Sequence, residues 1–323
     1  MKQVNLWIFV EIVKLCSAVN ETCILKSRTV GICKPIIKCD VILEILTSGD
    51  LSYLQSCQTK GEIGIYCCPL HLSKSGPKLS PLCQKSIQIK ENLRINSTEI
   101  SSNAELPFLV QILSSEKDFI GCGVLLSEKF VLTSAHAVYV RRRMPIVRFG
   151  KNRLDAEVLN INVKQVIPHE LYLPREAYFD VALLLLSQAV KFNDLTFPVC
   201  LHNSQIELDN DQKFIRSGWK ENGLMKSEVQ KMQRSKCDAI YDIKKYKIKL
   251  SDGISNSLFC GWSKEFSVNS DGPIHVLINK TFFIYGFTTA INTNYNSELP
   301  GLYTKMSDVA NWIEDIIFSI DSP

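Results

Sequence analysis

The most constraining feature of this chain is a cluster of six cysteines within its first 68 residues. Fewer than fifty residues separate the first cysteine from the last, and so short a segment buries too little apolar surface to fold on hydrophobic packing alone. Disulfides therefore have to stabilise this module, which we place at residues 23–68. The six cysteines are Cys23, Cys33, Cys39, Cys57, Cys67 and Cys68.

Zinc binding is the alternative explanation for clustered cysteines. The histidines of the chain are scattered, however, and none stands at ligand spacing beside a cysteine pair. The sequence also contains no carboxylate cluster typical of a calcium loop. We therefore expect no metal and no other cofactor. The histidines are His71, His136, His169, His202 and His275.

The amino-terminal segment predicts export from the cell. Residues 6–19 are apolar apart from Glu11 and Lys14, follow a start that contains Lys2, and include the small residues typical of signal-peptide cleavage. A core helix or a membrane anchor is the alternative, but no later stretch approaches the roughly 18 apolar residues that a membrane span needs. We expect residues 1–18 to be a signal peptide and the mature protein to be extracellular.

Three Asn-X-Ser/Thr sequons are compatible with export. They predict N-glycosylation at Asn20, Asn96 and Asn279. The formal net charge is +4, which is too small to indicate a nucleic-acid partner.

Composition changes twice after the cysteine-rich module. Residues 72–82 are rich in Ser, Pro, Lys and Gly and lack periodicity, which predicts a linker that we place at residues 69–94. From about residue 105, short β-type runs alternate with polar turns and favour antiparallel sheets or barrels in a domain at 95–323. Near the end, apolar residues recur at helical spacing and predict one amphipathic helix. They are Val309, Trp312, Ile313, Ile316 and Ile317.

Three residues have the side chains that nucleophilic acyl transfer needs: a hydroxyl, an imidazole that takes its proton, and a carboxylate that orients the imidazole. His136 ends the β-type run 130–136, Asp180 opens the apolar run 180–184, and Ser270 lies in a predicted turn. Each residue alone has an ordinary structural explanation: a core histidine, a strand-end cap and a turn serine.

Together, in the order His, Asp, Ser, these residues resemble the catalytic triad of the chymotrypsin family. Gly-Trp and Pro-Gly landmark turns of that family also occur in the expected order. The resemblance covers about residues 95–319 and implies an all-β, double-barrel fold with a carboxy-terminal helix. It also implies that Ser270 is the nucleophile, His136 the general base and Asp180 the residue that orients it.

The amino-terminal module resembles the clip domain of arthropod proteases, which has the same cysteine spacing and ends in two adjacent cysteines. Spacing alone leaves fifteen ways to pair six cysteines. The resemblance implies the pairs Cys23–Cys67, Cys33–Cys57 and Cys39–Cys68 in this module, and the pairs Cys83–Cys200 and Cys237–Cys260 beyond it.

The nucleophile turn departs from the family pattern Gly-Asp-Ser-Gly-Gly-Pro at three of six positions. In the family, the first of these residues and the serine supply the amides of the oxyanion hole, so Val268 and Ser270 would have to do so here. The family's aspartate pairs with the amino terminus that zymogen cleavage creates, whereas Asn269 has no charge to offer it. The expected cleavage site is the bond between Arg94 and Ile95.

Further departures affect the specificity pocket and one disulfide. Lys264 stands where trypsin-like members have the aspartate at the floor of the pocket, and the substrate-binding strand contains Thr289 and Ile291. A basic substrate residue would therefore meet a like charge. Ala137 replaces the cysteine that usually pairs with the residue represented here by Cys122.

These observations predict a secreted clip-domain serine protease homologue with impaired catalysis, which acts by binding. The resemblance to clip-domain proteases implies that its partners are the proteases and prophenoloxidase-like zymogens of an extracellular cascade, of the innate-immunity or venom type. The alternative is an active serine endopeptidase that uses Ser270, His136 and Asp180 after cleavage at Arg94–Ile95. A purely structural adhesion module is the third hypothesis.

Overall fold

The structure is a computed structural model, and every statement below concerns the residues that it describes. These residues divide into two compact units, Met1–Ser75 and Gly76–Pro323, which we describe separately. The described residues are 22–24, 30–35, 38–39, 55–56, 65–69, 79–93, 106–139, 143–149, 158–203, 206, 208, 211–220, 223–241, 246–263, 272–289 and 300–321.

The amino-terminal unit contains a four-stranded antiparallel sheet with the strand order β1–β2–β4–β3. The strands are β1 (Thr22–Ile24), β2 (Val30–Pro35), β3 (Gln55–Ser56) and β4 (Ile65–Pro69). Among the described residues of this unit, the buried cluster consists of three cysteines and the aliphatic side chain of Ile65. Cross-links therefore form a large part of the described interior, as expected for so small a module.

Disulfides cross-link the cysteine-rich unit. Cys23 is bonded to Cys67 and Cys39 to Cys68, which are pairings that the clip-domain resemblance implies. Cys33 is also disulfide-bonded. Its expected partner, Cys57, lies outside the described residues, as does the predicted signal peptide.

The first barrel of the carboxy-terminal unit is closed, with the strand order β10–β7–β6–β5–β8–β9. Closure pairs every strand of the barrel on both sides, so that its backbone groups are satisfied within the sheet. The strands are β5 (Leu109–Leu113), β6 (Phe119–Leu125), β7 (Phe130–Thr133), β8 (Ile146–Phe149), β9 (Leu159–Pro168) and β10 (Ala182–Leu186).

Strand β10 shows why part of this sequence is apolar at every position. Ala182, Leu184 and Leu186 belong to the cluster enclosed by the first barrel. Leu183 and Leu185 face the other way and join the large cluster that both barrels share. A strand that is buried on both faces needs apolar side chains without alternation.

The second barrel has the strand order β16–β15–β12–β13–β14–β17 and is closed by the pairing of β16 with β17, while β11 adds to β16 in parallel. Together with the first barrel it confirms the predicted all-β, chymotrypsin-like double-barrel fold. The strands are β11 (Cys200–Leu201), β12 (Phe214–Lys220), β13 (Gly223–Lys231), β14 (Leu258–Trp262), β15 (Pro273–Ile278), β16 (Thr281–Thr288) and β17 (Gly301–Lys305).

Helices in the described residues are short and pack on the outside of the barrels. The predicted carboxy-terminal helix is present, and Val309, Ile313 and Ile317 are buried in the cluster that both barrels share. No helix in the described part of the chain is long and apolar enough to cross a membrane. The helices are α1 (Pro81–Asn92), α2 (Ala135–Val138), α3 (Arg234–Tyr241) and α4 (Ala310–Asp321), with a 3₁₀ turn at Met306–Asp308.

Helix α1 occupies a segment that the sequence analysis assigned to the linker at 69–94. Ser80 caps the helix, because its Oγ accepts a hydrogen bond from the backbone N–H of Cys83 at 3.2 Å. Pro81 follows in the first turn, where a missing N–H costs nothing. The Ser- and Pro-rich segment that indicated a linker therefore ends with residues that begin a helix.

The same helix is attached to the protease body. Leu82 and Cys83 are buried, and a disulfide joins Cys83 to Cys200 on β11, as the resemblance implies. Near the other end, Lys90 Nζ donates a hydrogen bond to the backbone oxygen of Lys280. The carboxy-terminal compact unit consequently begins at Gly76 rather than at the expected cleavage site.

Candidate active site

Two of the three predicted triad residues meet at one edge of the first barrel. Strands β7 and β10 are antiparallel neighbours, with Thr133 opposite Ala182. His136 lies just beyond the end of β7 on helix α2, and Asp180 lies just before the start of β10. The strand register therefore brings the imidazole and the carboxylate together, although 44 positions separate them in the sequence.

His136 and Asp180 are joined by two contacts. The backbone N–H of His136 donates to Oδ1 of Asp180 at 2.8 Å, and Nδ1 of the ring lies 2.6 Å from Oδ2. The Asp180 side chain is fully buried, whereas 23% of the His136 side chain is exposed. A buried carboxylate at this distance favours the tautomer with its proton on Nδ1, which leaves Nε2 as an acceptor for the proton of a hydroxyl nucleophile.

Two tyrosines and a lysine surround this pair. The rings of Tyr139 and Tyr172 meet edge to face at 5.5 Å between centroids. Burial raises the pKa of Tyr172, and the negative charge of Asp180 raises it further. Burial also lowers the pKa of Lys249, an effect that the charge of Asp180 opposes. The negative charge of Asp180 therefore affects the pKa values of two side chains other than its histidine partner.

Most of the other predicted site residues lie outside the described residues. These include the nucleophile, the second oxyanion-hole residue, the activation residues, two specificity-pocket residues and two sequons. Their roles stay predictions. The residues are Ser270, Val268, Asn269, Arg94, Ile95, Lys264, Ile291, Asn20 and Asn96.

Gly272, near the end of the predicted nucleophile turn, is held tightly between two strands. A Cβ atom at this position would lie 2.2 Å from the backbone oxygen of Ser217 on β12. Thr288 at the end of β16 contacts the other side, because its Oγ1 donates to the backbone oxygen of Gly272 at 2.9 Å and its N–H does so at 3.2 Å. Only glycine allows so close an approach of two backbones.

Of the predicted specificity-pocket residues, Thr289 lies in the described part of the chain. Its side chain is buried. Its backbone N–H donates to the backbone oxygen of Leu302 at 3.0 Å, and its Oγ1 donates to the same oxygen at 3.4 Å. These bonds fix the end of β16 against β17.

The sequon at Asn279 lies in the hairpin between β15 and β16. Asn279 and Lys280 have φ angles of 47° and 62°, which is typical of a two-residue type I′ turn. Both residues are exposed. The tip of this hairpin therefore leaves room for the predicted glycan.

Two cysteine predictions concern the body of the protease unit. Cys237 on α3 is bonded to Cys260 on β14, as the resemblance implies. Cys122 on β6 is completely buried, and its backbone oxygen accepts a hydrogen bond from Oγ1 of Thr133 at 2.7 Å. Ala137 lies on α2, next to His136 in the sequence.

A cavity of about 610 Å³ lies elsewhere on the second barrel, and its lining includes neither His136 nor Asp180. Its polar lining has charges of both signs, which favour neither an anion nor a cation: Asp211, Lys213, Lys226 and Glu228. Burial lowers the pKa of His275, on its wall, to about 3, so that this ring is neutral at physiological pH. Within the described residues, no group of three His, Cys, Asp or Glu side chains is placed to hold a metal ion.

Comparison with known proteins identifies the family. The family model named Trypsin matches residues 95–313, which is more than half of the chain. The chain belongs to the trypsin family of serine proteases. The matched residues include both His136 and Asp180.

Arthropod members of the trypsin family resemble the chain over most of its length. CLIP domain-containing serine protease B15 of Anopheles gambiae is 25% identical, over 97% of this chain and 98% of that protein. Serine protease grass of Drosophila melanogaster is 24% identical, over 90% of this chain and 89% of its own length. Clotting factor G beta subunit of Tachypleus tridentatus is 28% identical, over 70% and 80% respectively. These findings confirm the resemblance to arthropod clip-domain serine proteases.

Some neighbours of the His–Asp pair have no recognisable signal in the sequence. Lys249 is far from both residues in the sequence, Tyr172 lies between them, and no motif marks either. Phe179 was a stronger signal, because a bulky aromatic residue directly precedes the candidate aspartate. The residue type alone does not predict its backbone conformation, in which φ is positive.

Proposed function

We propose that this protein is a secreted clip-domain serine protease homologue with impaired catalysis, which regulates an extracellular proteolytic cascade by binding its proteases or zymogens. The observation that carries the proposal is Asn269, which stands in the nucleophile turn where the family has aspartate. The similarity to clip-domain proteases over nearly the whole chain supports the cascade setting.

The proposed impairment follows from a missing ion pair. In the family, cleavage of the zymogen frees an amino terminus, and its ammonium group pairs with the aspartate beside the nucleophile. That ion pair orders the oxyanion hole and the specificity pocket. Asn269 is neutral, so the amino terminus released at Ile95 finds no opposite charge there.

The oxyanion hole has a second defect in the sequence. Val268 replaces the glycine whose amide would be one of its two donors. A β-branched residue resists the backbone conformations that glycine adopts in tight turns. Loss of one oxyanion donor typically lowers turnover by about 10² to 10³.

The runner-up is an active endopeptidase, and one structural observation favours it. The His136–Asp180 contacts are intact, with Nδ1 at 2.6 Å from the buried carboxylate. A chain that retains this pair as well as Ser270 has the three side chains that acyl transfer requires. Altered specificity would then follow from Lys264 in the pocket.

A fluorophosphonate probe distinguishes these functions, because it labels a serine that a working base and oxyanion hole activate. We would replace residues 91–94 by an enteropeptidase site, so that cleavage releases Ile95 without the natural activating protease. We expect the cut protein to be labelled at least about 100-fold more slowly than trypsin, as the loss of an oxyanion donor implies.

The matched variants are Asn269→Asp with Val268→Gly, which restores the family residues, and Ser270→Ala. We expect the restored variant to be labelled faster than the parent after cleavage only, because the ion pair needs the new amino terminus. Rapid labelling of the cut parent, abolished by Ser270→Ala, would contradict the proposal and establish the active endopeptidase.

A further inference from the structure

The backbone around Asp180 adopts an unusual conformation. Phe179 has a φ angle of 50°, in the left-handed region that bulky residues rarely enter. The N–H of Val181 donates to the backbone oxygen of Phe179 at 2.7 Å. A hydrogen bond across a single residue defines a γ-turn, and Asp180 is its central residue. The carboxylate that contacts His136 therefore projects from a strained turn, which surrounding contacts have to maintain.

His169 contacts this turn on both sides of Asp180. Its ring stacks on Phe179, with 4.7 Å between centroids and 19° between planes. Its backbone N–H donates to the backbone oxygen of Val181 at 3.0 Å. The same ring contacts Trp312 on helix α4, again at 4.7 Å between centroids. His169 thus lies between the turn and the carboxy-terminal helix.

The His169 ring is itself held in one orientation and one tautomer. The N–H of Leu171 donates to its Nδ1 at 3.1 Å, so that the ring proton of the neutral form is on Nε2. The residue is buried, and burial lowers its pKa to about 4. An uncharged planar ring in a fixed position is suited to stacking on an aromatic neighbour.

The chain before Phe179 is anchored as well. The hydroxyl of Tyr178 donates to the backbone oxygen of Gly253 at 2.7 Å and accepts from the N–H of Asp252 at 2.9 Å. Tyr178 and Val181 are therefore both fixed by hydrogen bonds. Between these two anchors, the ring of Phe179 packs against that of His169, and Asp180 bonds His136.

We propose that His169 is a positioning residue for Asp180: its stack on Phe179 holds the left-handed turn that aims both carboxylate oxygens at His136. The carboxy-terminal helix supports the stack through Trp312. This inference deepens the proposed function and rests on it only as far as the His136–Asp180 pair, because neither Ser270 nor turnover enters the argument.

The test follows the proton on Nδ1 of His136 in the full chain. A proton held between imidazole and carboxylate gives a far-downfield proton resonance in NMR spectra, which His136→Gln assigns by removing it. We expect the wild-type protein to show this resonance and His169→Ala to lose it. Because alanine leaves a cavity, His169→Leu fills the space without a planar ring and should lose the resonance as well.

The matched control is His202→Ala. His202 is equally buried, its pKa is also lowered to about 4, and its ring contacts Tyr285 at 4.9 Å between centroids, but it does not contact the turn. Its replacement removes a buried aromatic ring of the same type and should leave the downfield resonance unchanged. Thermal unfolding of each variant shows that the spectra compare folded proteins.

A rescue experiment separates positioning from general destabilisation. Asparagine adopts the left-handed region far more readily than phenylalanine, so Phe179→Asn makes the stack dispensable. We expect the double variant His169→Ala/Phe179→Asn to regain the resonance. A general loss of packing would not be repaired by removing a second aromatic ring.

Several outcomes overturn the inference: an unchanged resonance in folded His169→Ala or His169→Leu, an equal loss in His202→Ala, no recovery in the folded double variant, or no resonance in the wild type. These outcomes are distinct from failure of the proposed function. A protein that reacts rapidly with fluorophosphonate and still shows the expected spectra would refute impaired catalysis and support the role of His169.

Discussion

At the scale of single residues, the hydroxyl of Thr288 offers a precise test of how the end of the nucleophile turn is anchored. Thr288→Val removes the 2.9 Å hydrogen bond to the backbone oxygen of Gly272 and keeps the shape of the side chain. We expect the free energy of unfolding in urea to fall by about 1 kcal/mol. Thr288→Ser keeps the hydroxyl and should retain most of this energy. Equal stability of the valine and serine variants would show that the bond contributes nothing.

Single residues also show where sequence reasoning succeeds and where it ends. His136 and Asp180 were predictable, because the chemistry of acyl transfer requires those side chain types and the flanking apolar runs placed them at strand ends. The left-handed backbone at Phe179 was not, because phenylalanine is a poor residue for that region and its conformation is imposed by tertiary contacts. The positioning role of His169 became visible only with the stack in three dimensions.

At the scale of elements, the cap of helix α1 predicts a measurable effect on stability. The Ser80 hydroxyl accepts from the N–H of Cys83, and its proximity to Glu314 on α4 lowers the pKa of that carboxyl, which burial raises. Ser80→Ala removes both interactions, and we expect the free energy of unfolding to fall by about 1 kcal/mol. Ser80→Thr keeps a capping hydroxyl and serves as the control. A Tm for the alanine variant equal to that of the wild type would contradict the capping role.

The sequence predicts some helices and strands more clearly than others. Strand β10 is indicated by the apolar run that Asp180 opens, because a strand buried on both faces has an unbroken apolar sequence. Helix α1 was missed, since its apolar residues are few and a Ser- and Pro-rich segment precedes it. Its attachment depends on the disulfide between Cys83 and Cys200, and composition alone gives no sign of a helix held by a cross-link.

At the scale of the whole molecule, the double barrel could be predicted from the order of several unlinked motifs, whereas the packing that unites its parts could not. One buried cluster contains Phe108 from the first barrel, Phe287 from the second and Ile313 from helix α4. These residues have no relation in the sequence that marks them as neighbours. Buried histidines are distributed through the same unit, and they give it a common response to acid.

Three histidines should make the carboxy-terminal unit lose stability as the pH falls. Burial lowers the pKa of His169 and His202 to about 4, and that of His275 to about 3, whereas an unfolded chain has histidine pKa values near about 6.5. Below that value the unfolded state binds protons that the folded state does not. Above about pH 6.5 these histidines are neutral in both states and do not lower the free energy of unfolding. From there down to about pH 4, proton binding by the unfolded state lowers it progressively.

The variant His275→Phe tests the proton binding of one of these histidines. A phenyl ring preserves the edge-on contacts with Phe108 and Phe282 but does not titrate. Between pH 7 and pH 5, each such histidine should cost the folded state about 2 kcal/mol, so the variant should lose about 2 kcal/mol less than the parent. The partly buried carboxyls of Asp308 and Glu314, whose pKa values are raised by desolvation, act in the opposite direction but equally in both proteins. Urea unfolding monitored by tryptophan fluorescence measures the difference, since Trp219, Trp262 and Trp312 all lie in this unit. If parent and variant lose the same stability over this range, the buried ring takes up its proton without unfolding, and the acid response of the unit has another source.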